Sequence, residues 1–276
     1  MNVLVATDGS KYGRWGLNWV AMLPFVERPC VTALHVLNIG SRSAPFISKP
    51  EIHRRGARAA KILKEATQQL AALKLKGTAR KGQGAATLVI LKHAPKRDGL
   101  LVVGSKGLDA LDRFMLGSVS TNLLHHATCS VLVVKGEAAP LRRITLATDG
   151  SSASAEALEF VLTKFRPDCS TGEGGHVPIH VSVIHVMPFL KYPELKEAGH
   201  ALIEQSVQKL IQAGFTAEAV CQLGKPAEVI MKVASKHHAD LIVMGAQGLG
   251  AIARFLLGSV STRVVQRTNC SVLVVR

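Results

Sequence analysis

Three glycines and one serine recur twice along the chain with the same spacing. Gly104, Gly107, Gly117 and Ser118 form the pattern Gly-x2-Gly-x9-Gly-Ser, which returns 141 residues later from Gly245 onwards. Glycine lets the backbone approach a ligand closely, and a Gly-Ser pair that opens a helix offers free amides at the positive end of the helix dipole. These groups suit a phosphate. The same residues would also suit a tight turn followed by a serine-capped helix.

The sequence partly matches two better-known phosphate-binding motifs, but neither match is complete. The segment GLLVVGSK at 99–106 resembles a P-loop only in its letters, because its middle residues are those of a buried strand. The segment from Gly248 to Ala253 spells a dinucleotide fingerprint, but no acidic residue follows Asp240 to hold a ribose. We therefore expect neither a P-loop nor a Rossmann dinucleotide site.

A second repeated motif lies at the start of each copy. Residues 6–10 read Ala-Thr-Asp-Gly-Ser and recur unchanged at 147–151, each time after an apolar run that predicts a strand. His35 and His185 stand at the end of the next predicted strand, and we expect both to be structural histidines with satisfied hydrogen bonds. The other histidines include adjacent pairs, which point apart on a helix, so we expect no metal site.

The repeat covers more than these motifs. Residues 104–134 return as 245–275 with the same offset, and the apolar pattern is interrupted between Lys135 and Leu141. A period of this length indicates a duplicated domain rather than a solenoid. We predict two tandem domains, at residues 1–137 and 141–276.

Short runs rich in Val, Ile and Leu alternate with longer amphipathic segments in each half. The first half predicts strands at Val3–Thr7, Val31–Leu37, Leu100–Gly104 and Ser130–Val134, with a weaker strand at Lys76–Lys81. The segments between them predict helices at Lys11–Leu23, Glu51–Leu75, Ala85–Lys96 and Ser118–His126. Such strands are typical of a parallel sheet buried on both faces, so each domain is predicted as an open, doubly wound α/β sheet with helices on both sides. A ligand in this fold binds beyond the carboxyl ends of the strands, where the strand order reverses.

The amino-acid composition indicates the general class of protein. Hydrophobic residues make up 47% of the 276 residues and charged residues 19%, which is typical of a globular chain. Apolar runs such as 100–103 and 272–275 are far shorter than the ~20 residues of a spanning helix, so we expect no membrane segment and a cytoplasmic location. The five cysteines are widely spaced and odd in number, so we expect reduced, mostly buried thiols.

The net charge of +15 is unevenly distributed. Residues 1–138 hold 20 lysines and arginines against 8 acidic residues, a charge of +12, whereas residues 139–276 hold 14 against 11, a charge of +3. The excess is densest from Arg42 to Lys81. This segment could attract nucleic acid, an acidic protein or a polyphosphate, but a solvated helix face in a basic protein is the preferred interpretation. Nucleic acid is not expected as the partner, because no aromatic residues stand among the charges to stack on bases.

Both halves resemble the universal stress protein family, whose nucleotide-binding members carry the motif Gly-x2-Gly-x9-Gly-[Ser/Thr]. The resemblance covers nearly the whole chain, including the Asp-Gly-Ser after the first strand, the His-Val that ends the second and the Cys-x-Val-Leu-Val-Val strand of each copy. The chain therefore resembles a tandem member. The family implies a five-stranded, Rossmann-like sheet per domain, of the adenine-nucleotide alpha-hydrolase-like type. It also implies ATP across the ends of strands one and four.

The resemblance also implies which residues bind. Adenine and ribose would be lined by Ala6, Thr7, Asp8 and Val36, and the ribose and phosphates would be held by Gly104, Gly107, Gly117, Ser118, Val119 and Ser120. The matching positions of the second copy are Ala147, Thr148, Asp149, Val186, Gly245, Gly248, Gly258, Ser259, Val260 and Ser261. Family members often have Arg or His in the turn between the first two glycines. This chain has Lys106 and Gln247 there, and a phosphate should prefer the lysine.

The resulting expectation is an ATP-binding stress-response or signalling module. ATP, alone or with Mg²⁺, would be a structural or regulatory ligand, hydrolysis would be slow or absent, and no catalytic residue is assigned. The two domains would pair as an intramolecular pseudo-dimer, and a homodimer is a further expected assembly.

Two alternative functions stay open. Lys106 and Arg113 could assist slow ATP hydrolysis or adenylyl transfer, although the HxGH and SGGxDS signatures of related adenylylating enzymes are absent. The nucleotide could instead switch the binding of an unknown protein partner to the basic surface of the first domain.

Overall fold

The computed structural model describes residues 1–38, 48–96, 98–107, 116–170, 175–187, 194–248 and 257–276. The chain divides into two compact units. Unit 1 comprises residues 1–21 and 27–138, and unit 2 comprises residues 22–26 and 139–276. Arg113 and the start of the basic segment at Arg42 lie outside the described residues.

In its described residues, unit 1 alternates strands with helices. Its elements are β1 (Asn2–Ala6), α1 (Lys11–Met22), β2 (Cys30–Leu37), α2 (Lys49–Ala72), β3 (Gly77–Gln83), α3 (Ala86–His93), β4 (Leu100–Gly104), α4 (Ser118–His126) and β5 (Ser130–Val134). These bounds lie within a few residues of the predicted ones, because the apolar runs and the amphipathic segments have clearly different periods.

The strands of unit 1 form a parallel sheet in the order β3-β2-β1-β4-β5. The central strand β1 therefore pairs with β2 on one side and β4 on the other, with Val3 opposite both Val31 and Leu100. Strand β5 is buried along its whole length, and so is β4 up to Val103. The chain leaves β1 in one direction and returns to β4 on the other side, so the strand order reverses between these two strands.

Helices cover both faces of this sheet. Helix α1 packs on one face, where Gly16 comes close to Val5 and Val102. Helix α3 packs on the other face, where Val89 touches Gly82. Helix α4 lies beside α3. The helices on opposite faces therefore diverge at the reversal between β1 and β4.

Unit 2 repeats the architecture. Its elements are β6 (Arg143–Thr148), α5 (Ser152–Lys164), β7 (Asp168–Ser170), β8 (His176–Pro178), β9 (His180–Met187), α6 (Glu194–Gln212), β10 (Thr216–Leu223), α7 (Pro226–Lys236), β11 (Leu241–Gly245), α8 (Ser259–Arg267) and β12 (Ser271–Val275). The five long strands are parallel, in the order β10-β9-β6-β11-β12. The predicted α/β class with parallel sheets is confirmed.

The short strands β7 and β8 are an addition to unit 2 that the sequence pattern did not predict. They pair antiparallel, with Cys169 opposite Val177, and His176 Nδ1 lies 2.8 Å from Asp168 Oδ2. Three-residue strands beside a glycine-rich segment carry too little periodicity to be recognised from sequence. The predicted elements of unit 2 therefore lack this hairpin.

The cysteine prediction is correct in part. None of the five cysteines forms a disulfide. Cys129 and Cys169 are buried, but Cys30 is exposed, and Cys221 and Cys270 are half-buried. The expectation of mostly buried thiols is therefore wrong. Cys30 begins β2, and Cys221 lies on the outer strand β10, so neither is covered on all sides.

The basic residues of the segment that ends at Lys81 lie mostly on the solvent side of α2. His53, Arg54, Arg58, Lys61 and Lys64 are exposed. The carboxylate of Glu51 pairs with the guanidinium groups of Arg54 and Arg55, which offsets part of the local charge. Within the described residues no helix is both long enough and apolar enough to cross a membrane.

A polar cluster lies in unit 2, where β9 and β10 meet the end of α7. Oε1 of Glu218 lies 2.7 Å from Ser182 Oγ, 3.1 Å from His180 Nε2 and 2.9 Å from His237 Nδ1. Burial alone would raise the pKa of Glu218. The hydrogen bonds from Ser182 and His180 and the nearby histidines outweigh burial and lower that pKa from 4.5.

The variant Glu218→Gln should therefore lower the free energy of unfolding at pH 7. We expect a loss of about 0.5 to 1 kcal/mol, a modest value because the carboxylate is 42% exposed. The carboxyl has a lower pKa when folded, so its stabilisation is present above the unfolded pKa and is lost as the pH falls through the folded value. Urea unfolding at pH 7 and pH 3 measures the difference.

Glu228→Gln is the matched control, because Glu228 is exposed and lies 3.7 Å from Lys225. An equal loss for Glu218→Gln at both pH values would contradict the role given to the charge of Glu218.

Candidate functional site

A cleft of about 640 Å³ opens in unit 1 where the strand order reverses. It lies at the carboxyl ends of β1, β2 and β4 and at the start of α4. All of the site residues predicted in the first copy line it: Ala6, Thr7, Asp8, Val36, Gly104, Lys106, Gly107, Gly117, Ser118, Val119 and Ser120. The structure thus brings together residues that lie more than 100 positions apart in the chain.

The cleft also has lining residues that the sequence reasoning missed. These are Gly13, Leu34, His35, Asn38, Ala86, Ile90, Val103 and Leu116. Two signals could have identified some of them. Leu34 is two residues before Val36 and shares its face of β2, and Ala86 and Ile90 lie one turn apart on α3. Together they make one end of the cleft apolar.

The Asp-Gly-Ser turn after β1 is held by its own side chains. Asp8 Oδ1 accepts a hydrogen bond from the Ser10 amide at 2.9 Å, and Ser10 Oγ accepts one from the Gly13 amide at 3.3 Å. Gly9 has a φ of +82°, a conformation that favours glycine. The other carboxylate oxygen of Asp8 faces Gly107, where a Cβ atom would stand 3.0 Å from it. Asp8 therefore lies between the two loops of the cleft.

The three glycines of the repeated motif have different surroundings. A Cβ atom on Gly104 would stand 2.6 Å from Tyr12 Cβ, so helix packing requires glycine there. At Gly107 the nearest atom is the Asp8 carboxylate oxygen. Within the part of the chain that the structure describes, a Cβ atom on Gly117 would have no neighbour closer than 3.5 Å, and the φ of Gly117 is −62°. Neither packing nor backbone conformation therefore requires glycine at 117.

Helix α4 begins beside this open space. Gly117 is the N-cap and Ser118 the first helical residue, so the alternative in which a serine is the N-cap is wrong. Gly117 has no side chain that could cap the helix. The amides of the first turn of an α-helix have no partner within the helix.

The Ser120 hydroxyl has a different role from the one predicted. It donates a hydrogen bond to the Gly104 carbonyl at 2.6 Å. A proton used in this way is not available to a phosphate. In unit 2 Ser261 Oγ donates to the Gly245 carbonyl at 3.0 Å. Both hydroxyls hold a helix against the end of a strand.

Each of the repeated histidines makes a hydrogen bond to the backbone, as predicted. His35 Nδ1 lies 2.8 Å from the Thr7 carbonyl oxygen, and His185 Nδ1 lies 2.9 Å from that of Thr148. A carbonyl only accepts, so Nδ1 carries the proton in both rings. Each bond ties the end of a central strand to its neighbour.

Unit 2 has a matching but smaller cleft of about 350 Å³. It is lined by every residue predicted in the second copy: Ala147, Thr148, Asp149, Val186, Gly245, Gly248, Gly258, Ser259, Val260 and Ser261. The sequence reasoning missed Ser154, Ile184, Pro226, Ile230, Met244 and Gln247. Pro226 and Ile230 occupy on α7 the place that Ala86 and Ile90 occupy on α3.

The three motif glycines of unit 2 have the same kinds of surroundings as those of unit 1, with two crowded positions and one open position. A Cβ atom on Gly245 would stand 2.6 Å from the Ala153 backbone, and one on Gly248 would stand 2.4 Å from Asp149 Oδ2. Among the described residues, a Cβ atom on Gly258 would have no neighbour closer than 3.4 Å. The open space at the start of the helix is therefore a property of both clefts. Among the described residues no group of three or more His, Cys, Asp and Glu side chains could hold a metal ion.

The family of the chain follows from comparison with known proteins. The model of the universal stress protein family matches residues 1–135 and again residues 140–276. The chain belongs to the universal stress protein family. A universal stress protein of Mycolicibacterium smegmatis is 30% identical over 293 aligned residues, which cover 99% of this chain and 96% of that protein. The tandem organisation of this universal stress protein is thus shared by a relative of similar length.

Solved structures show the same fold. The crystal structure of a universal stress protein from Archaeoglobus fulgidus aligns with a TM-score of 0.73 at 22% identity, covering all of this chain and 98% of the other. At that identity the likeness bears on the fold alone. A universal stress protein solved in complex with cAMP aligns with 50% of this chain and 99% of its own, at 23% identity and a TM-score of 0.36.

Substitution of the motif glycines by alanine tests whether their surroundings differ, because the substitutions should change the free energy of unfolding by different amounts. We expect Gly104→Ala to lower the free energy of unfolding by about 1 to 3 kcal/mol, because its methyl group would collide with Tyr12. Gly117→Ala should cost about 1 kcal/mol or less, mainly through a poorer N-cap. Chemical denaturation of the two variants gives both values. Equal losses would contradict the claim that packing does not require Gly117.

Proposed function

We propose that this universal stress protein binds an adenine nucleotide in its clefts, with ATP as the ligand of unit 1. The observation that carries the proposal is the open space at Gly117, at the start of α4, in a chain that repeats it at Gly258. Glycine is not the best N-cap residue, and packing does not require glycine at 117. Space for a phosphate beside the amides of the first helical turn explains why glycine is present there.

The apolar lining of the cleft suits a base. Leu34, Val36, Ile90 and Val103 contribute apolar side chains, and a volume of about 640 Å³ is within the usual range of about 300 to 1,000 Å³ for small-molecule sites. The adenine would lie among these side chains. The ribose would then reach the loop of Asp8, and the phosphates the loop from Gly104 to Gly107.

Two charged residues would act on the phosphates. Lys106 lines the cleft of unit 1 and can form a charge-assisted hydrogen bond with a phosphate oxygen. Asp8 also lines it, and one carboxylate together with phosphate oxygens and waters is a suitable shell for Mg²⁺ arriving with ATP. We infer a regulatory role in stress response or signalling, with the nucleotide as a bound ligand.

The variant Gly117→Val should abolish ATP binding to unit 1. A branched side chain at 117 would fill the space proposed for the phosphates, while its Cβ atom meets the protein only at ordinary contact distance. Isothermal titration calorimetry with ATP on the full chain measures the loss, and circular dichroism establishes that the variant is folded.

Gly136→Val is the matched control, because a Cβ atom there has no atom of the described residues within 4 Å and Gly136 does not line the cleft. It should bind ATP like the original chain. Unchanged ATP affinity in a folded Gly117→Val protein would refute the site.

The two clefts should bind ATP unequally, with unit 1 the tighter. Unit 1 has Lys106 where unit 2 has the neutral Gln247, and its cleft is about 640 Å³ against about 350 Å³. A desolvated lysine-phosphate contact is worth roughly 1.5 to 3 kcal/mol, which is about tenfold or more in affinity.

Calorimetry on Gly117→Val and Gly258→Val separately measures the two affinities. The variant Lys106→Gln, which gives unit 1 the residue of unit 2, should reduce the difference. If Gly258→Val removed the tighter binding, the role given to Lys106 would be wrong.

A further inference from the structure

Three soft or borderline metal ligands meet on the face of unit 2 that α6 covers. His185 and Met187 are two residues apart on β9, so their side chains share one face of the strand. Cys221 on β10 pairs with His185 across neighbouring parallel strands. Strands in a sheet are about 4.8 Å apart. The register alone therefore makes Cys221 and His185 neighbours, with Met187 beside them.

The packing of α6 shows independently that these side chains converge. Gly199 of α6 is buried and has no side chain. A Cβ atom at Gly199 would stand 3.0 Å from Met187 Sδ, 3.2 Å from His185 Cδ2 and 3.3 Å from Cys221 Sγ. A thioether, a thiol and an imidazole edge thus approach one point.

The tautomer of His185 leaves one ring nitrogen able to bind a metal ion. Its Nδ1–H donates to the Thr148 carbonyl, so Nε2 carries a lone pair. Nε2 is bonded to Cδ2, the ring atom nearest to Gly199. A backbone carbonyl that fixes the tautomer in this way is the usual outer partner of a metal-binding histidine.

We propose that Cys221, Met187 and His185 bind a soft monovalent cation, Cu(I). Thiolate and thioether sulfur select Cu(I) over harder ions, and imidazole completes a three-coordinate shell. The flexible Met187 side chain can adjust to the ion. Binding requires the Cys221 thiolate, so one proton is released for each ion bound at neutral pH.

The site belongs to unit 2 alone, and it lies apart from the nucleotide cleft. In unit 1 the strand positions of Met187 and Cys221 are occupied by Leu37 and Lys81, because His35 pairs with Lys81 as His185 pairs with Cys221. Neither Cys221 nor Met187 lines the cleft of unit 2. Cys221 is half-buried on the outer strand β10.

Anaerobic titration of the reduced full chain with Cu(I), in competition with the chromophoric chelator bicinchoninate, tests the proposal. We expect one tight equivalent of Cu(I), and affinities lower by about tenfold or more in Cys221→Ser and in Met187→Leu. Met187→Leu introduces the residue that unit 1 has at this position, so it should fold. Cys270→Ser is the control, since Cys270 is also half-buried but lies on a different element.

Copper K-edge absorption of the loaded protein should show two sulfur ligands and one nitrogen ligand. Unchanged Cu(I) affinity in both Cys221→Ser and Met187→Leu, an equal loss in Cys270→Ser, or a shell with a single sulfur would each overturn the proposal. ATP binding is measured separately, so failure of this site would leave the proposed function untouched.

Discussion

In each unit the strand order reverses beside the central strand, which is β1 in unit 1 and β6 in unit 2. This reversal determines where the helices, the loops and the cleft lie. The chain leaves β1 towards β2 on one side of the sheet and returns to β4 on the other. Helices α1 and α3 therefore cover opposite faces and cannot close the gap between the ends of β1 and β4. The loops after these strands bring Asp8 and Gly107 into contact there, and each unit leaves a cleft at this place.

The motif glycines perform different tasks around that gap. Gly104 allows α1 to pack on the end of β4, and Gly107 makes room for the Asp8 carboxylate. Ser120 then holds α4 to the Gly104 carbonyl. Gly117 differs from the other two glycines, because no atom of the described residues comes closer than 3.5 Å to the place of its Cβ atom. These contacts thus distinguish Gly104 and Gly107, which the packing of the fold requires, from Gly117, where the space would serve a ligand.

The fold and much of the cleft could be predicted from the sequence because each rests on a strong local signal. Apolar runs of about five residues, such as 100–104, predict the buried strands. Because the chain repeats with an offset of 141 residues, a strand predicted in one copy supports the same prediction in the other. The β7–β8 hairpin was missed because it has no counterpart in the first copy. The hydrogen bond from Ser120 and the contribution of Ile90 were missed because they depend on how α4 and α3 sit against the sheet, which no local pattern encodes.

Amide NMR of the ¹⁵N-labelled protein with ATP and with adenosine tests whether the start of α4 in unit 1 receives phosphate. We expect ATP to shift the amide resonances of Ser118 and Val119 strongly. Adenosine, which lacks phosphates, should shift residues near Val36 but leave these two amides largely in place. Saturation with ATP that leaves the Ser118 and Val119 amides unmoved, or equal shifts with adenosine, would contradict a phosphate site at the start of α4.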